Sequence, residues 1–335
     1  MKFDYAIGNP PYMEQTDSDS SRMPPVYNFL MDEAYKIAYG AELITPARFL
    51  FNAGYTPKQW NEKMLNDQHF KVLHYEPDCE KIFPGTDIKG GIAITYRDAD
   101  KEFGAIGIFT KYEELNSILK KVKNNANEFL DSIISSPLSY KVSALMTKEN
   151  PQLVNRLRTS AFTALADIFF ENEPADGKQY ISMIGLLNGK RTIRYIRRDY
   201  IVDSSNTLDK YCLLLPKASG SGEYGETLSA TEIAKPGQGY TQTFIGIGCS
   251  DSIEEIKNID KYIKTKFARA MLGVLKITQD CPGPKWKLVP LQDFTPNSDI
   301  NWSASIHDID QQLYKKYGLS RQEIDFIESH VKEMA

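Results

Sequence analysis

The 335-residue chain is 41% hydrophobic and 25% charged, the proportions of an ordinary soluble globular protein with two domains, each able to bury its own core. Its formal net charge of −4 excludes a uniformly basic nucleic-acid binder but leaves room for a local basic cleft. No run of 18 apolar residues is present, which excludes a transmembrane helix. The N-terminus enters a strand pattern directly, without a signal peptide, so a cytoplasmic location and no membrane partner are expected.

Residues 3–8 read as a first strand, ended sharply by Asn9-Pro10-Pro11-Tyr12. Two prolines cannot donate to a ladder and fix φ, so a stiff loop follows the strand's carboxyl end. In open α/β sheets that end is where ligands bind. The loop presents one amide side chain, unpaired carbonyls and one aromatic ring. This set suits methyl transfer to an exocyclic amine: the Asn9 oxygen and the Pro10 carbonyl would accept the amine's two N–H bonds, and Tyr12 would stack on a flipped base. A plain proline-rich turn fits the same four residues.

Residues 13–25 read as a polar loop, and residues 26–39 as a helix with Gly40 as its C-cap. Ala41 to Thr45 is a short buried strand stopped by Pro46. A helix from Lys58 to Asp67 and strands over Phe70–Tyr75 and Gly91–Tyr96 follow, with Phe103–Phe109 pairing nearby. Cys79, Cys212, Cys249 and Cys281 are far apart and form neither a CxxC pattern nor a small disulfide framework. His69 and His74 lack metal-ligand spacing. Pro77-Asp78-Cys79-Glu80-Lys81 is too tight for a nuclease set.

Residues 110–150 read as a polar, helical bridge with a stripe of Leu115, Ile118, Leu119 and Val122. The domain boundary is placed there, giving domains 1–110 and 111–335. Tyr180 to Leu186 is a strand, and Asn188-Gly189 a hairpin turn. Lys190, Arg191, Arg194, Arg197 and Arg198 follow, with Tyr195 and Tyr200 interleaved, a charge density suited to phosphate and groove contacts. Tyr211–Leu215 leads to the flexible stretch Lys217 to Gly222, where Lys217 and Ser219 are further candidates for DNA contact. Phe244–Ile247 is another strand. Residues 251–276 read as one helix capped by Ser252. Its Lys261, Lys264, Lys266 and Arg269 suit either DNA or a solvated face. A helix containing Ser305 to Tyr314 stops at Gly318. Ser320 and Glu323 form a capping box for a last helix, Arg321 to Met334.

Phe3 to Tyr12 resembles motif IV of the amino-methylating DNA methyltransferases, in its adenine-N6 form. Gly40 to Leu50 resembles that family's next strand and loop. Phe83 to Tyr96 resembles the late hairpin of methylases in fused type II restriction-modification enzymes. The stretch from Tyr211 onward is similar to their recognition region. The resemblance implies a site-specific adenine-N6 DNA methyltransferase portion. Its fold would be α/β: the second half of a doubly wound, Rossmann-like methyltransferase sheet over 1–110, plus an α+β target recognition domain over 111–335.

Asn9, Pro10, Pro11 and Tyr12 would be catalytic, and Tyr96 would stack on the base's second face, although strand alternation equally puts Tyr96 at a core edge. Double-stranded DNA and S-adenosyl-L-methionine are the implied partner and cofactor. No glycine-rich turn precedes Asn9, so the family's gamma arrangement puts the cofactor site in an N-terminal methyltransferase or nuclease portion or subunit. Two other readings stay open: a non-catalytic specificity module or degenerate remnant, and methylation of RNA or protein amides.

Overall fold

A computed structural model describes residues 2–13, 24–53, 55–86, 88, 90–135, 139–153 and 157–334. The chain is a mixed α/β protein that divides into two compact units, Met1–Lys120 and Lys121–Ala335. The sequence reading places the division at 110. Among the described residues no helix is long and apolar enough to cross a membrane.

In the first unit, β1 (Phe3–Gly8), α1 (Tyr27–Ile37), β2 (Ala38–Pro46), α2 (Lys58–Asn66), β3 (Phe70–Glu76) and β4 (Ile92–Asp98) follow one another. The strands form one sheet in the order β1-β2-β4-β3. β1 and β2 run parallel, while β4 is antiparallel to both β2 and β3. The last hairpin is thus folded back so that its second strand lies next to β2. Residues 14–23 of the expected loop lie outside the described residues.

Alternation decides which face of this sheet is buried. Leu43, Thr45, Phe70, Ala93 and Thr95 are buried, and Leu43, Phe70 and Ala93 pack with Met31 of α1, Trp60 and Met64 of α2 and Phe49. On β1 the residues of the other face stand out: Phe3, Tyr5 and Ile7 are 62%, 56% and 79% exposed. Among the described residues, β1 is paired along one edge only.

Two expectations for this unit are corrected. Gly40 is not a helix C-cap: α1 ends at Ile37, and Gly40 lies inside β2 opposite Tyr5. A Cβ there would sit 2.9 Å from a Tyr5 ring carbon, so glycine makes room for a cross-strand ring. Phe103–Phe109 is not a strand either. Its N–H groups at Phe103 and Gly107 bond the Gln68 and Leu65 carbonyls, and Ile106 and Phe109 pack against the core.

α3 (Glu113–Asn125) runs across the division between the units, with Leu115, Ile118 and Val122 buried as its stripe requires. The second unit continues with β5 (Tyr140–Val142), α4 (Ala144–Glu149), α5 (Ala161–Ala164), β6 (Tyr180–Leu187), β7 (Lys190–Arg197), β8 (Ile201–Asp203), β9 (Tyr211–Pro216), β10 (Glu232–Ala234), β11 (Gln238–Tyr240) and β12 (Phe244–Ser250). Its helices α6 (Ile253–Lys264), α7 (Lys266–Gly273), α8 (Ile306–Lys316) and α9 (Arg321–His330) close the chain. Three small sheets form, ordered β10-β9-β12, β11-β6-β7 and β5-β8. Leu213, Leu214 and Leu215 of the central β9 are fully buried.

The hairpin β6–β7 turns at Asn188 and Gly189, whose φ values of 51° and 75° are those a two-residue primed turn needs. The single helix expected over 251–276 is two. Thr265 leaves the helical region at ψ 149° and caps α7 with its own side chain, accepting from Ala268 N. Ser252 caps α6, and the Ser320–Glu323 capping box starts α9, which ends at His330. The cysteine expectation also changes. The register of β9 against β12 sets Cys212 opposite Cys249, 4.3 Å apart at Cα, and the two are joined as a disulfide. Their separation of 37 residues hid this pairing in the sequence.

Candidate functional site

Because β1 and β2 are parallel, with Gly8 level with Leu43, the Asn9–Tyr12 loop leaves the sheet at the edge where β2 ends in Pro46. Asn9 and Pro11 are exposed, and Pro10 is half-buried. The Pro10 carbonyl accepts no backbone hydrogen bond among the described residues. Tyr12 closes the loop inward: its carbonyl accepts from Val26 N at 3.1 Å, and its ring packs on the core cluster that includes Tyr27, Met31 and Phe49. The Tyr12 hydroxyl is buried and makes no hydrogen bond among the described residues. Burial pushes its pKa up to about 12, against a smaller pull from the Asn9 side chain, so the phenol stays neutral. The loop therefore offers an outward amide and carbonyl beside an anchored ring.

The same edge carries groups that the sequence reading did not single out. Phe51, Tyr75 and Phe109 form a mutual edge-on trio, with centroids 5.4 to 5.6 Å apart. The Tyr75 hydroxyl donates to the Gly90 carbonyl at 3.3 Å. Arg48 lies in the 3-10 turn Ala47–Phe51 directly after β2, beside Tyr55. The stop signal at Pro46 was legible, but nothing local marks the residues after it as lining an edge.

Tyr96 stands in mid-strand, opposite Glu42 and Lys71. Its ring stacks on Tyr5 at 6.3 Å and 18°, and its hydroxyl bonds the Tyr5 hydroxyl and donates to Asp98 at 2.7 Å. These partners, Tyr5 first, raise its pKa. Lys101 and then Tyr96 hold the Asp98 carboxyl down at about 2. Tyr5 is four residues from Asn9 along an extended strand, ~13 Å away. Tyr96 thus belongs to a hydrogen-bonded row on the sheet's exposed face, and the structure does not bring it to Asn9.

In the second unit each basic arginine after the hairpin has an intramolecular partner. Arg191 pairs with Glu232 at 2.7 Å and donates to the Ala230 carbonyl. Arg194 pairs with Glu171 at 2.7 Å. Arg197 bridges Asp199 and Glu149 and lies over the Tyr200 ring, and these contacts, Asp199 first, raise its pKa. Arg198 donates to the Ile201 carbonyl. Lys190, exposed at the hairpin, has no acid partner among the described residues. Ser219 is buried, its hydroxyl accepting from Ser229 N, and Lys217 is half-buried beside it.

The cations of α6 and α7 are also committed: Lys261 to the Trp302 and Ala304 carbonyls, Lys264 to Asp260 and Lys266 to Glu328. Arg269 is 2% exposed and holds the Lys264, Glu226 and Lys332 carbonyls.

Residues 1–83 match the family model described as Eco57I restriction-modification methylase. No curated protein matches the chain. Among solved structures, the chain is similar to the type IIL restriction-modification enzyme MmeI in complex with DNA, at 10% identity and TM-score 0.34 over 97% of this chain and 56% of that one. It is also similar to the type IIG restriction endonuclease BpuSI, at 8% identity and TM-score 0.30 over 98% and 54%. The chain spans little more than half the length of each.

Proposed function

We propose that this chain is the base-holding and DNA-recognising portion of an adenine-N6 DNA methyltransferase belonging to a restriction-modification enzyme. The observation that carries the reading is the loop at the carboxyl end of β1. Asn9 is exposed, the Pro10 carbonyl accepts no backbone hydrogen bond among the described residues and Tyr12 is anchored, all within the segment that matches a restriction-modification methylase family. The order β1-β2-β4-β3, with β4 reversed, supports the second half of a doubly wound sheet.

In this reading a flipped adenine presents its amine to the loop. The nitrogen's lone pair is delocalised into the ring, which makes it a weak nucleophile. The Asn9 side-chain oxygen and the Pro10 carbonyl accept its two N–H bonds and favour a more tetrahedral nitrogen. Tyr12, neutral and fixed by its packing, stacks on the base. Pro11 keeps the carbonyl and amide in register by restricting the backbone. Tyr96 holds the sheet face and is not assigned a stacking role.

The methyl donor would be S-adenosylmethionine. The described residues do not fit it, because none of the three strand exits at this edge, Asn9-Pro10-Pro11-Tyr12, Pro46-Ala47 and Pro77-Asp78, is a glycine-rich turn. A separate portion or subunit would therefore hold the donor, and the edge of β1 that is unpaired among the described residues, with the adjoining face of Phe3, Tyr5 and Ile7, is the surface it would complete. The second unit would recognise double-stranded DNA through the exposed Lys190 and, by exchanging their carboxylate partners for phosphate, through the arginines of β7.

The test is Asn9→Ala in the chain co-expressed with a cofactor-holding portion. Loss of one preorganised hydrogen-bond partner should lower the methylation rate by about 10²- to 10³-fold with the fold intact. Unchanged methylation would remove Asn9 from the chemistry. The missing cofactor turn favours one second reading, a specificity module that binds DNA without modifying it. That reading predicts duplex binding and no methylation in the same co-expression.

A further inference from the structure

Arg48 is a half-buried cation in a prepared seat. Its stem runs along Gly90: a Cβ added there would come 2.6 Å from Arg48 Cγ, so only a bare backbone lets the stem pass. Gly90 and its neighbour Gly91 both sit at positive φ, 87° and 78°, which this tight loop requires. The guanidinium lies over the Tyr55 ring, 6.0 Å from its centroid. Tyr55 itself holds φ at 65°, an unfavourable conformation for an aromatic residue, and Asn52 before it holds 55°. Backbone strain of this kind persists where the surroundings over-determine it, and it concentrates at ligand-contacting segments.

The seat leaves the charge unanswered. Among the described residues Arg48 has no acid within salt-bridge distance and its guanidinium makes no hydrogen bond, although it has five N–H donors in a fork that matches phosphate. It also occupies the edge where the Asn9–Tyr12 loop leaves the sheet, one residue beyond Ala47 and two beyond the end of β2. The arginines of β7 contrast with it, since each is already paired within the protein.

We infer that Arg48, held by Gly90 and Tyr55, is a phosphate-binding arm that grips the DNA backbone next to the nucleotide presented to Asn9. This rests on the DNA reading above and adds a residue that reading does not use. A flipped base needs its flanking phosphate fixed, and a pre-seated guanidinium fixes it without the loss of side-chain freedom that a solvated lysine suffers.

The test is fluorescence anisotropy of the full chain with a labelled mixed-sequence DNA duplex, at KCl concentrations from about 50 to 200 mM. Wild type, Arg48→Ala, Arg48→Lys and a remote surface control, Lys36→Ala, are compared, with thermal melts to verify folding. Arg48→Ala should weaken binding about tenfold at the lowest salt and reduce the slope of log K against log salt by about 0.9, the share of one phosphate. Arg48→Lys should keep the slope and lose only part of the affinity, and Lys36→Ala should match wild type. If Arg48→Ala binds with wild-type affinity and slope, the arm is wrong while the DNA reading stands. If the wild-type chain does not bind duplex at the lowest salt, the DNA reading falls and this inference with it. Should Arg48→Ala fail to fold, a flattened slope in folded Arg48→Lys would overturn the proposal, and a retained slope with reduced affinity would support it.

Discussion

At the scale of single residues, the decisive contacts are those between distant parts of the chain. Gly91 shows this sterically: at φ 78°, a Cβ would stand 2.3 Å from the Glu76 carbonyl oxygen, a backbone atom that cannot step aside. Gly91→Ala should cost about 2 kcal/mol or more, read as a lower urea midpoint with unchanged slope. Glu226 shows it electrostatically. Burial opposes its ionisation, but the nearly buried Lys276 ammonium and the N–H groups of Ser221 and Gly222 outweigh burial and hold its pKa down at about 2.

A depressed acid stabilises the fold above its unfolded value of about 4.5 and loses that contribution as pH falls toward 2. Glu226→Gln, which leaves Lys276 buried without its counter-charge, should cost about 3 kcal/mol at pH 7 in urea melts, and the gap to wild type should narrow as the pH is lowered from about 4.5 toward 2. None of this was legible in sequence. The acid partners of the β7 arginines were hidden in the same way, because Glu149, Glu171 and Glu232, which meet them, lie about 20 to 50 positions away.

At the scale of elements, local chemistry wrote most of the answer. The Pro10-Pro11 exit, the Asn188-Gly189 turn and the Ser252 and Ser320 caps act over two to four residues, and each forms as its side chains dictate. Failures came where a neighbouring element overrode local preference. Gly40 mimicked a helix stop but serves the Tyr5 ring, a cross-strand requirement with no local sign. The break between α6 and α7 was missed because Thr265 is neither glycine nor proline. Its hydroxyl both donates to the Tyr262 carbonyl and accepts from Ala268 N, so it ends one helix and starts the next. Thr265→Ala should cost about 1 kcal/mol by loss of that cap. Thr265→Ser, which keeps the hydroxyl, should recover most of it in the same thermal melt.

At the scale of the whole molecule, the first unit has one sheet face covered by α1 and α2 and the other exposing Phe3, Tyr5 and Ile7. If a cofactor-holding portion docks there, Ile7→Lys should leave this chain's thermal stability unchanged, because Ile7 is 79% exposed, yet abolish methylation on co-expression. Retained methylation would place that portion elsewhere. The stretch Lys217 to Gly222 has the composition of a loose linker, and its sequence promised flexibility. Yet Glu226 gathers the Ser221 and Gly222 N–H groups, Ser219 is buried, and a Cβ on Gly222 would meet the Thr278 backbone at 2.3 Å. A protease needs several residues of chain to peel away into its cleft. This glycine-serine segment, the obvious place to cut on composition, should therefore survive limited digestion while the chain is folded.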